Sequence, residues 1–121
     1  MIKFGPSGNS KSFYEKGYKH TTQAPQYLNE YGLNCFEYSF GRGVNMSEQK
    51  AKEIGESFKK GDIEISVHAP YFINFANPDE EKAQNSYNYV LNSAKFVQLM
   101  GGKRVVFHPS TQGKATREEA V

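Results

Sequence analysis

Apolar and polar residues alternate in three short runs of this chain. Phe36, Tyr38 and Phe40 alternate with Glu37 and Ser39; Ile63, Ile65 and Val67 with Glu64, Ser66 and His68; Val105 and Phe107 with Arg104, Val106 and His108. A period of two marks a strand with one buried face, so strands are predicted over 35–40, 63–67 and 104–107. A further short strand is predicted over 2–4, ended by Gly5-Pro6-Ser7-Gly8. Between these runs the period lengthens to that of helices. One is predicted over 22–31 and closed by Gly32. A second starts behind Ser47, carries Ala51, Ile54 and Phe58 on one face and stops at Gly61. A third is predicted over 77–100, where Asn77 can cap, Pro78 suits the first turn and Glu80 completes a capping-box spacing. Its apolar face reads as Ala83, Tyr87, Val90, Leu91, Ala94 and Val97, and Gly101-Gly102 ends it.

Strands that alternate with helices pair in parallel through right-handed crossovers. The greasy strand faces should meet the helices. The opposite face holds Glu37, Ser39, Glu64, Ser66, His68, Arg104 and His108, too polar for an open sheet covered on both sides but suited to a barrel lumen. The expected fold class is therefore α/β: four parallel strands with helices on one face, the N-terminal half of a (β/α)8 TIM barrel. A capping box at Thr116 to Glu119 announces another helix just before Val121, and a whole barrel takes about 250 residues. Residues 1–121 are thus expected to be a single partial barrel domain, cut from a longer barrel or pairing with another copy through its exposed sheet edges.

Composition changes this picture little. Hydrophobic residues at 37%, charged residues at 23% and a net charge of +2 over 121 residues describe an ordinary globular domain, with too little positive charge to argue for nucleic acid alone. No apolar run approaches the roughly 20 residues that span a bilayer and no signal peptide is seen, so a cytoplasmic location is expected. The single cysteine, Cys35, reads as a free buried thiol.

The candidate chemistry lies at the strand ends. His68 and His108 each close an apolar run and are followed within two residues by Pro70 and Pro109; proline cannot donate to a ladder and ends it. Ligands gather at the C-terminal edge of parallel sheets. Two imidazoles on adjacent strands there could share a metal, or each could simply hydrogen-bond at its strand terminus. Two ligands are fewer than a zinc site needs. Glu37 and Glu64 lie deeper in their strands, and an ion pair with Arg104 suits Glu64 better; His20 reads as exposed.

At these residues the sequence resembles a known family. The stretches Val67-His68-Ala69-Pro70-Tyr71-Phe72-Ile73-Asn74 and Val105-Val106-Phe107-His108-Pro109 are similar to the two N-terminal zinc-ligand motifs of endonuclease IV, the apurinic/apyrimidinic endonucleases within the xylose isomerase-like TIM barrels. Phe4 to Gly8 and Phe36 to Gly43 are similar to the family's first two strands. The sequence differs where Phe4-Gly5-Pro6 replaces a frequent histidine and where Ser110 replaces a glycine.

The resemblance implies a DNA repair enzyme that hydrolyses the phosphodiester 5′ to abasic sites. His68 and His108 would be ligands of one ion in a trinuclear zinc cluster, the other ligands lying beyond Val121. Tyr71, Arg42 and Asn74 would contact the DNA. It assigns no catalytic side chain here, and the 121 residues alone are expected to be inactive. Two other readings stand beside it: a sugar isomerase or epimerase of the same superfamily, and a non-catalytic binding module.

Overall fold

The computed structural model describes residues 2–71 and 73–110. In chain order the elements are α1 (Lys11–Glu15), a 3-10 turn (Thr21–Gln23) leading into α2 (Ala24–Glu30), β1 (Cys35–Ser39), α3 (Glu48–Lys60), β2 (Glu64–His68), α4 (Glu80–Leu99) and β3 (Val105–Val106). The strands form one parallel sheet in sequential order. Cys35 stands opposite Glu64, Ser39 opposite His68, and His68 opposite Val106. This is the partial barrel expected, and the capping box at Thr116 to Glu119 lies outside the described residues.

In β1 and β2 the strand phase is as the alternation predicts, whereas in the third run Val105 is half-buried and Phe107, expected on the greasy face, is 37% exposed at the sheet margin. Phe36, Phe40, Ile63, Ile65 and Val67 are buried against Ala51, Ile54 and Phe58 of α3 and Val97 of α4. Ser47 caps α3 by accepting from the Lys50 amide at 3.1 Å. The helix ends at Gly61, where an added Cβ would lie 2.5 Å from the Pro25 Cβ, so the missing side chain is what lets α2 pack close.

Four expectations are corrected. The segment over 2–4 is not a regular strand. Residues 4–8 do run parallel to β1, with Asn34 N–H donating to Phe4 C=O, Glu37 N–H to Pro6 C=O and Gly8 N–H to Glu37 C=O. Only Ser7 and Glu37 form a bridge, because Pro6 has no amide to give; Ile2 and Phe4 stay 78% and 68% exposed. Among the described residues the sheet therefore has three strands where four were expected, and the last is confined to Val105–Val106.

The second correction is α1, for which only a loop was expected. Ser10 caps it by accepting from the Phe13 amide, and Phe13 is fully buried with its ring against Tyr14, Tyr18 and Tyr27.

The third concerns α4, whose N-cap is Asp79 and not Asn77. The Asp79 carboxylate accepts from the Glu81 and Lys82 amides, while Asn77 holds the Asp79 amide in a turn before the helix. The face is turned as well: Ser86, Ser93 and Val97 are buried, whereas Tyr87 and Leu91 are 55% and 54% exposed. Two serines on the buried stripe hid it from a hydrophobicity count.

The fourth is Cys35, which is only half-buried and sits on the polar face. It lines a cavity of about 310 Å³ with Lys3, Glu64, Ser66 and Arg104, and burial raises its thiol pKa.

Candidate functional site

The C-terminal ends of β2 and β3 lie side by side because their register sets His68 against Val106. His108 follows two residues later on the same face. The two imidazole centroids are 5.2 Å apart with the planes inclined at 46°. His68 is half-buried and His108 exposed. The His68 Nδ1 lies 2.7 Å from the Ala69 carbonyl oxygen. A carbonyl can only accept, so Nδ1 is the donor in this bond, and Nε2 is the ring nitrogen it does not use. Such an outer hydrogen bond orients a metal-ligating imidazole.

The loops around the pair are joined by main-chain hydrogen bonds in strand order. Tyr71 N–H, after β2, donates to Gly41 C=O, after β1, at 3.3 Å; Phe75 N–H donates to Pro109 C=O, after β3, at 2.8 Å. Packing of the Phe75 ring on Phe107 and Tyr87 reinforces the second link, at centroid distances of 5.9 and 6.0 Å. Arg42 follows Gly41 and is exposed, and Tyr71 is 59% exposed. Asn74 is more internal. Its side-chain oxygen accepts from the Ala76 amide at 3.0 Å, and its own amide donates to Ser86 Oγ at 2.9 Å.

The carboxylates of the polar face are committed elsewhere. Glu64 begins β2, four residues and roughly 13 Å of strand below His68. It pairs with Lys3 at 2.9 Å and with Arg104, the ion pair read from sequence. Hydrogen bonds from Lys3, then Arg104, lower its pKa. Glu37 accepts from Ser7 Oγ at 3.2 Å. His20 is exposed, as read. Among the described residues no cluster of three or more His, Cys, Asp or Glu side chains could hold an ion. The imidazole pair matches zinc in donor type alone and supplies two ligands, fewer than a zinc site needs.

Sequence reasoning missed Ser86, whose serine in the α4 pattern gave no hint of the Asn74 main chain. It also missed the Ser7–Glu37 contact, which depends on the parallel approach of residues 4–8.

The sequence model described as xylose isomerase-like TIM barrel matches residues 25–121. The chain belongs to that family. It is 36% identical over 118 residues to an uncharacterised protein of Methanocaldococcus jannaschii, covering 98% of this chain and 40% of that protein. It is 27% identical over 121 residues to a protein of Aquifex aeolicus named "Probable endonuclease 4", covering all of this chain and 42% of that one. Over 100 residues it is 35% identical to the protein of that name from Acholeplasma laidlawii, covering 76% of this chain and 34% of the relative. The chain thus spans about two fifths of these relatives' length, as fits part of a barrel. Among solved structures, that of SacUVDE superposes with a TM-score of 0.62 over 83% of this chain and 39% of its own, at 16% identity. That likeness supports the fold. No helix among the described residues is long and apolar enough to cross a membrane.

Proposed function

We propose that this chain is the N-terminal part of a zinc-dependent endonuclease that hydrolyses DNA at the phosphodiester 5′ to abasic sites. The observation that carries the reading is the imidazole pair: His68 and His108 meet at the sheet's C-terminal edge, 5.2 Å apart. It occurs in a chain whose relatives include proteins named endonuclease 4.

His68 and His108 would hold zinc with ligands from the rest of the barrel. When bound, zinc supplies Lewis-acid stabilisation of charge on a phosphodiester and eases deprotonation of water. This chain's own part is to fix the imidazoles and to present Tyr71 and Arg42 on loops joined to them. Arg42 suits a phosphate and Tyr71 an unstacked base or an abasic gap. Asn74 shapes the loop that carries Tyr71.

The exposed side chains of Tyr71 and Arg42, presented on one rim beside the imidazole pair, fit an extended polymer better than a small polyol, which sets the nuclease ahead of the sugar isomerase. The same proposal leaves two sheet margins to cover, Ile2 and Phe4 at one and Phe107 at the other. Self-association of the isolated chain through them is read by light scattering against concentration.

The test is a nicking assay with the protein containing this chain and its remaining barrel, on duplex DNA with one abasic site. Cleavage 5′ to the site, lost in chelator and restored by zinc, supports the proposal. Inactivity on that duplex combined with metal-dependent interconversion of a ketose and an aldose replaces it with the isomerase.

A further inference from the structure

α4 buries two serines, and they use their hydroxyls differently. Ser93 turns back on its own helix and donates to Tyr89 C=O at 2.7 Å. Ser86, only 4% exposed, reaches out of the helix to the loop after β2. Its Oγ accepts from the Asn74 amide at 2.9 Å and lies 3.4 Å from the Asn74 carbonyl, to which it donates. One side chain thus bonds both main-chain groups of Asn74, whose carbonyl also accepts from the Asn77 amide at 3.4 Å.

Asn74 is the sixth residue after His68, and the next amide along, that of Phe75, donates to the carbonyl of Pro109, directly after His108. The path from α4 to the exit of β3 is therefore short and made of hydrogen bonds: Ser86 to Asn74, along the backbone to Phe75, and across to Pro109. Removing the hydroxyl leaves the half-buried Asn74 amide without its partner. An unpartnered main-chain donor out of reach of water is costly, so the loop shifts to find water and carries the Phe75 link with it.

We propose that Ser86 is a positioning residue for the imidazole pair, tying the loop after β2 and the exit of β3 to α4 and so setting the separation of His68 and His108. Its use rests on the metal-site reading above. Its geometry does not.

The experiment compares Ser86→Ala, Ser86→Thr and Ser93→Ala in the 121-residue chain. Ser93→Ala is the control, since it deletes an equally buried hydroxyl on the same helix that does not touch the loop. In Ser86→Ala without metal, amide hydrogen exchange at Asn74 and Phe75 is expected to accelerate by roughly tenfold or more, and the proton–proton contacts between the two imidazoles to weaken. Ser86→Thr keeps the hydroxyl and should return the rates toward wild type, while Ser93→Ala should leave both readouts unchanged. Titration with zinc alone, followed at the imidazole resonances, is expected to show several-fold weaker binding only in Ser86→Ala. Unchanged exchange in Ser86→Ala overturns the proposal. So does faster exchange with unaltered imidazole contacts. If the wild-type chain, with two of the ligands, binds zinc too weakly to titrate, the exchange and contact data decide the role of Ser86, and the metal reading is decided separately by the nicking assay on the complete barrel.

Discussion

The amide of Tyr71 donates to the carbonyl of Gly41 across 3.3 Å, joining the loop after β2 to the loop after β1. Because Arg42 follows Gly41 directly, this bond presents Tyr71 and Arg42 from neighbouring loops on one rim, beside the edge where His68 ends β2. The rim and the imidazole pair should therefore fail in different ways when changed.

In the complete barrel, His68→Ala or His108→Ala should lower kcat on abasic duplex by at least a hundredfold, with far-ultraviolet circular dichroism unchanged. Tyr71→Ala and Arg42→Ala should mainly raise KM, by roughly tenfold, because other backbone contacts still hold the DNA. Steady-state kinetics on a nicked-product assay separates the two. A Tyr71 variant that lost kcat with KM intact would contradict the division.

The polar face makes a pH prediction through Glu64. Its folded-state carboxyl is held below the usual carboxylate range by hydrogen bonds from Lys3 and then Arg104. A depressed folded pKa means the unfolded chain takes up the proton first, so the ion pairs stabilise above the unfolded value and fade as pH falls through the folded one. The urea midpoint of the wild type should drop between pH 6 and about 3, and Glu64→Gln should flatten that drop. Both partners are partly exposed, so the effect should shrink in high salt.

Asp79 offers a test of where α4 begins. Its carboxylate accepts from the Glu81 and Lys82 amides, so Asp79→Ala should cost about 1 kcal/mol in chemical denaturation. Asn77→Ala should cost less, since Asn77 holds a turn outside the helix. Equal losses would mean the helix starts earlier than the structure has it.

Gly102 is tied to the sheet by contact. A Cβ there would fall 2.5 Å from the Ile65 carbonyl oxygen and 2.7 Å from Val97 Cγ2. Since the first of these is backbone of a central strand, Gly102→Ala should destabilise by about 1–3 kcal/mol. Gly43→Ala is the matched control, its nearest neighbours being Asn45 side-chain atoms at 3.8 and 4.0 Å, and it should be close to neutral.

Much of this arrangement is legible in the sequence because strand alternation and prolines carry it. His68 and His108 announce themselves at the ends of period-two runs, and the phase that puts Glu64 beside Arg104 follows from the same count. Other features depend on contacts with no local signature. α1 is too short to stand on propensity and forms where Phe13 enters a ring of tyrosines. The buried face of α4 runs through Ser86 and Ser93, so hydrophobic periodicity selected Tyr87 and Leu91 instead. The links from Tyr71 to Gly41 and from Phe75 to Pro109 use main-chain groups, which every sequence possesses.

His68 and His108 are expected to act on one ion. The most direct test is a zinc titration of the 121-residue chain followed by long-range proton–nitrogen NMR of the imidazoles. His68 Nε2 and one ring nitrogen of His108 should shift together with a single dissociation constant, while His20, exposed in its own loop, stays unmoved. Independent binding curves for the two rings, or equal shifts at His20, would contradict it.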